Sequence, residues 1–148
     1  VKIMLPTNMS YLKEYEDQIH WLSIFEFWNN GNWTGEKYPF RVTAGFWKDP
    51  GAGNDLVFHV KADRDKSAGG FEDLWDEKNY DFPIPFDTWM EIEVYIKEGD
   101  ESNGRFDMAV TPEGGTKVEI FDITNTTQHP KEKCPDGFTH MQPLKWYT

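Results

Sequence analysis

Glu26 and Trp28 stand two residues apart in the stretch Trp-Leu-Ser-Ile-Phe-Glu-Phe-Trp, residues 21–28. In an extended strand, residues two apart share a face. An acid and a large flat aromatic therefore sit side by side. An indole can cover the apolar C–H face of a sugar ring, and a carboxylate can accept hydrogen bonds from the hydroxyl rim. Together they are the chemistry of a sugar-binding cleft. An equally simple reading has Trp28 covering the sheet beneath a loop. Strict alternation sends Trp21, Ser23, Phe25 and Phe27 toward the core. It sends Leu22, Ile24, Glu26 and Trp28 to the other face.

Other segments sort in the same way. Residues 40–47 give Phe40, Val42, Ala44 and Phe46 inward, with Arg41, Thr43, Gly45 and Trp47 outward. Residues 56–62 give Leu56, Phe58, Val60 and Ala62 inward, with Val57, His59 and Lys61 outward. Residues 89–97 alternate most cleanly, with Met90, Ile92, Val94 and Ile96 inward. Their outward set is Trp89, Glu91, Glu93, Tyr95 and Lys97. If these strands share one sheet, Glu26, Trp28, Arg41, Trp47, His59, Trp89, Glu91, Glu93 and Tyr95 form one ligand face of stacking aromatics and hydrogen-bonding charges. Lys61 lies on it too. Cross-strand charge pairs such as Glu91 with Arg41 are the ordinary alternative.

The elements that must position these residues are short strands separated by Gly, Pro and Asn turns. They fall at 1–5, 20–28, 40–47, 56–62, 71–75, 89–97, 105–111, 117–123 and 141–147. Residues 7–18 are expected as a loop or one helical turn, and 63–70 as a polar loop. An Asn-Gly pair at 103–104 marks a hairpin. No stretch holds a helical period, so the expected fold is all-β, an antiparallel β-sandwich over residues 1–148. A hydrophobic content of 38% suffices for one core in a single domain. The opening residues 1–6 already alternate, so the chain is expected to be a mature or excised piece lacking upstream strands.

A formal charge of −11 argues against nucleic acid or an anionic membrane as the main partner. It fits a protein that handles neutral ligands. No run of about 18 apolar residues is present to span a bilayer, and no signal peptide is seen. Cys134 is the single cysteine, which excludes an internal disulfide.

In the order of these segments the chain resembles the concanavalin A-like jelly-roll superfamily, in its polysaccharide-lyase and carbohydrate-binding branch. The residues that carry the likeness are 21–28, Pro-Phe-Arg-Val-Thr-Ala-Gly, Leu-Val-Phe-His-Val, Pro-Ile-Pro-Phe-Asp-Thr-Trp-Met-Glu-Ile-Glu-Val-Tyr and Gly-Arg-Phe-Asp-Met-Ala-Val. The resemblance implies a curved sheet whose concave face binds glycan, and a secreted or cell-surface location. Neighbouring modules of a larger chain would fit it. In several lyases of this kind the strand matching 21–28 carries a Gln-x-His pair, which neutralises a uronate and moves a proton. Glu26 and Trp28 stand in those places here. An ionised Glu cannot donate to a carboxylate and Trp cannot abstract a proton.

The expected function is therefore non-catalytic polysaccharide binding, with no catalytic residue. The alternative is a lyase cleaving a uronate-containing glycan by β-elimination, using His59 or Tyr95 as base and Arg41 or Lys61 as clamp. A glycoside hydrolase is a further alternative. It would need Glu91 or Glu93 to supply the second acid beside Glu26.

No organic cofactor is expected. The resemblance admits a structural calcium ion, with Asp49, Asn54 and Asp55 as candidate ligands. The run Asp63-Arg64-Asp65-Lys66 alternates acids but lacks the Gly and distal Glu of a calcium loop. His20, His129 and His140 lie apart, without metal-ligand spacing. Trp33 and Tyr38, in a Gly/Asn-rich loop, are further ligand-contact candidates. Asn8, Asn32 and Asn125 begin glycosylation sequons, a pattern short enough to arise by chance.

Overall fold

In the computed structural model, residues 1–28, 39–66, 70–129 and 138–144 are described, apart from the side chain of Trp21. Trp33, Tyr38, Cys134, the Asn32 sequon and the end of the 141–147 segment lie outside the described residues.

Nine described strands form two antiparallel sheets. They are β1 (Lys2–Met4), β2 (Ile19–Trp28), β3 (Phe40–Lys48), β4 (Val57–Asp65), β5 (Phe71–Asn79), β6 (Trp89–Lys97), β7 (Arg105–Pro112), β8 (Val118–Thr124) and β9 (His140–Pro143). One sheet has the order β1-β6-β7-β8 and the other β5-β4-β3-β2-β9. Thr7–Glu14 form a 3-10 helix. The architecture is an all-β sandwich.

Alternation explains the core. Phe40, Val42, Ala44 and Phe46 of β3, with Phe58, Val60 and Ala62 of β4, are almost fully buried. They face Met90, Ile92, Phe106, Met108 and Val110 of the other sheet in one cluster. Each large side chain so buried contributes roughly 1.5–3 kcal/mol. Two polar ties join the layers. Trp75 Nε1 donates to the Thr126 carbonyl at 2.7 Å, and the Asn79 amide donates to the Ile120 carbonyl at 2.9 Å.

Register shifts interrupt the ladders of β4 with β5 and of β7 with β8, and β2 carries two against β3, of which the second bears on the site. The register runs Leu22↔Phe46, Ser23↔Gly45 and then Phe25↔Ala44, so Ile24 is an extra residue in a bulge. A bulge shifts the pleat by one position. Leu22 therefore joins Phe25 and Phe27 on the core side, and Ser23 joins Glu26 and Trp28 on the outer side. The strict two-face split of 21–28 holds only after the bulge.

Most bounds shift by a residue, and two strands run on by three or four. β4 runs on to Asp65 and β5 to Asn79. Asp63 is thus a strand residue and not part of a loop. Asp76 and Lys78 acquire a face.

Candidate functional site

The outer face of the five-stranded sheet gathers much of the expected site. β2 brings Ser23, Glu26 and Trp28, and β3 brings Arg41, Thr43, Gly45 and Trp47. β4 adds His59, Lys61 and Asp63 opposite those β3 residues, and β5 adds Asp73, Asp76 and Lys78.

The remaining expected residues are elsewhere. Trp89, Glu91, Glu93 and Tyr95 belong to β6, in the other sheet, and point away from the core there. Glu91 faces Lys2 and Thr111, not Arg41. Glu93 is bonded to Lys117 at 2.7 Å, and the Lys2 ammonium lies 5.9 Å from the Trp89 ring centre. Trp89 and Tyr95 are exposed. This is a solvated face on the opposite side of the sandwich. His59 and Tyr95 therefore cannot serve one reaction, and neither Glu91 nor Glu93 can pair with Glu26. Alternation assigns a residue to a face of its own sheet but does not say which sheet that is.

The gathered face divides into two halves. In the first, Glu26 and Asp63 are 1% exposed and Trp28 is 5% exposed. Arg41 Nε donates to Asp63 at 2.6 Å and its Nη2 to the second carboxylate oxygen at 3.1 Å, while Nη1 lies 3.9 Å from Glu26. The guanidinium also lies 4.4 Å from the Phe71 ring centre. Glu26 and Arg41 thus belong with Asp63 to one ion network, and Trp28 is buried on the same face.

The second half is open. Trp47, Thr43 and Lys61 are half-buried and His20 is exposed. A hollow between them is lined by His20, Ser23, Thr43, Gly45, His59 and Lys61. Its volume is only about 10 Å³, so it cannot engulf a small molecule.

Trp47 is held in place. Its Nε1 donates to Asp49 at 2.9 Å, and the Tyr80 hydroxyl donates to the other oxygen of the same carboxylate at 2.9 Å. The bond from Trp47, outweighing the effect of burial, lowers the pKa of Asp49. Lys78 sits 4.2 Å from the centre of the indole and occupies one ring face. The His59 and His20 ring centres lie 5.0 and 6.3 Å away.

The cations of this face are matched. Lys61 bonds Asp73 at 2.8 Å and lies 3.4 Å from Asp63. Lys78 is paired with Asp76. Leaving the imidazoles aside, the face carries four carboxylates (Glu26, Asp63, Asp73, Asp76) against three cations (Arg41, Lys61, Lys78). It offers no excess positive field to a polyanion.

His59 Nε2 lies 3.1 Å from Asp76. Burial lowers the His59 pKa, and this outweighs the opposing pull of Asp76. The neutral ring donates its Nε2–H to the carboxylate, which can only accept, and keeps Nδ1 as an acceptor. The consequence for stability follows by linkage. An imidazole whose pKa is lower in the fold than the 6.5 of the free group is protonated more readily in the unfolded chain. Its contribution is present above pH 6.5 and is lost as pH falls through the folded value. Thermal unfolding across a pH series is expected to show this loss, and His59→Gln, which keeps a donor to Asp76, is expected to remove it. Identical slopes for the two proteins would refute the assignment.

Asp49 is taken by Trp47 and Tyr80, and the Asn54 amide donates to the Pro50 carbonyl at 2.8 Å. Among the described residues no three His, Cys, Asp or Glu side chains converge on a metal position.

Sequence reading missed His20, Ser23, Asp63, Asp76 and Lys78 as members of this face. A polar residue next to a bulge, or beyond the apparent end of a strand, gives no periodic signal. Comparison with known protein families, characterised proteins and solved structures gives no match.

Proposed function

We propose that this chain binds a neutral polysaccharide across the open half of the outer face, without cleaving it. The observation that carries this reading is Trp47. Its indole is fixed by Asp49 and backed by Lys78. Beside it stand exposed His20 and half-buried Thr43, which hydrogen-bond without needing charge, while Ser23 and His59 line the hollow but are themselves buried. A sugar ring stacks on the remaining indole face and these groups meet its hydroxyls. The resemblance to concanavalin A-like jelly rolls, and the glycan binding and extracellular location it implies, agree with this use of an outer sheet face. Trp28, buried, is no longer the stacking residue.

Affinity-gel electrophoresis over neutral and acidic polysaccharides tests the proposal. Retardation by a neutral glycan is expected, with Trp47→Ala weakening it about tenfold or more. Unchanged mobility of Trp47→Ala in every gel would refute it.

The His59–Asp76 pair favours a second reading, elimination from a uronate glycan. Its Nδ1 would take the proton beside the carboxylate as the glycosidic C–O bond breaks. That reaction needs a cation to neutralise the uronate, and Arg41 and Lys61 are already engaged by Asp63 and Asp73. Ultraviolet absorbance of an unsaturated product, formed by the wild type and not by His59→Gln, would establish it.

A further inference from the structure

We infer that the bound glycan continues past the edge of β2 into a cleft between that strand and the 3-10 helix, where further units of the same neutral chain are held. This rests on the proposed binding at Trp47. The cleft has a volume of about 680 Å³, within the roughly 300–1,000 Å³ usual for ligand sites. His20 and Leu22 line both the cleft and the shallow hollow beside Trp47. The two concavities therefore both border His20, the cleft lying toward the helix and the hollow on the outer sheet face.

The lining has the chemistry of a neutral sugar site. Its floor is apolar, made by Met9, Leu12, Ile19 and Leu22. Asn8, Tyr15 and Gln18 complete it, and Tyr15 is 52% exposed. A phenol ring gives a stacking surface, and two amides both donate to and accept from hydroxyls. No carboxylate or ammonium is found among the described lining residues. A charged sugar entering there would shed water without gaining a counter-ion.

The cleft is also preformed. Met9 and Leu12 pack against the core. The segment ending the 3-10 helix is tied to the β3–β4 turn, with Gly51 N–H donating to the Glu16 carbonyl and Gly53 N–H to the Lys13 carbonyl, both at 2.7 Å. Binding there does not have to order its own wall, a saving in entropy that favours affinity.

Isothermal titration with two-unit and six-unit xylo-, manno- and cello-oligosaccharides tests this. For at least one series the six-unit sugar is expected to bind about tenfold tighter. Tyr15→Ala is expected to bring the six-unit affinity down to that of the two-unit sugar while leaving the latter unchanged. Gln18→Ala should act in the same direction by about threefold. Trp47→Ala should weaken both lengths. A length preference that survives both Tyr15→Ala and Gln18→Ala would overturn the cleft assignment and leave binding at Trp47 standing. Absence of binding in every series would overturn both. The dye 1-anilinonaphthalene-8-sulfonate provides a competing occupant. Dye fluorescence that Tyr15→Ala abolishes but the six-unit sugar does not displace would assign the cleft to an apolar ligand, and so refute the inference.

Discussion

Gly45→Ala is expected to lower stability by about 3 kcal/mol or more, at or beyond the upper end for overpacking. A Cβ built on Gly45 would lie 2.2 Å from the Leu22 carbonyl oxygen, 2.7 Å from Ser23 Cα and 3.0 Å from the Leu22 carbonyl carbon. All three are backbone atoms, so no side chain can swing aside. They belong to the bulged stretch of β2, where the register passes from Ser23↔Gly45 to Phe25↔Ala44. The bulge presses β2 onto β3 at this position, and the absent side chain is what permits the approach. Against the roughly 5–15 kcal/mol that holds a typical domain together, the loss is large. Urea unfolding should show the midpoint falling with little change in slope. A midpoint equal to wild type would mean that the strands are not in such contact and that the bulge is misplaced. Because Gly45 also lines the hollow beside Trp47, the substitution is expected to disturb glycan binding as well.

Asp63→Ala is expected to cost about 3–5 kcal/mol. Asp63 is buried opposite Arg41 in the β3–β4 ladder and takes two guanidinium bonds. Lys61 approaches the same carboxylate. Removing it leaves the buried guanidinium with far less counter-charge. Asp63→Asn, which keeps the shape and one acceptor, should fall between wild type and Asp63→Ala. The double variant Arg41→Met, Asp63→Leu removes both ions together but takes the guanidinium from buried Glu26, so it should recover only part of the loss. A double-mutant cycle read by urea unfolding measures the coupling. If Asp63→Ala stays within about 1 kcal/mol of wild type, the pair behaves as a solvated surface bridge. The closed half of the face would then have to be regarded as open, with Glu26 and Trp28 again available to a ligand.

The strands themselves were legible because each carries a core face. Trp89–Lys97 was read with its observed bounds, since Met90 and Ile92 alternate with charged or aromatic residues and pack inward as the period demands. Asp63 was not legible as a strand residue. A charged residue beyond the last apolar one looks like a loop unless a partner strand supplies its counter-ion, and Arg41 does so from 22 positions away. Ser23 was assigned to the wrong face because an extra residue in β2 leaves no mark in the sequence when that residue, Ile24, is itself apolar and buried.

Residue types and period determined, by themselves, that this chain is an all-β sandwich and that Trp47, His59 and Lys61 each point away from the core. That information is local, because a strand's two faces are fixed by its own pleat. Tertiary structure alone decided the rest. It placed Trp89, Glu91, Glu93 and Tyr95 on the far sheet, tied Glu26 and Arg41 into an ion network, buried Trp28, and brought His20 next to Trp47. Which strands share a sheet, and which outward groups stay open, depends on pairing between distant segments, and no single strand carries that information.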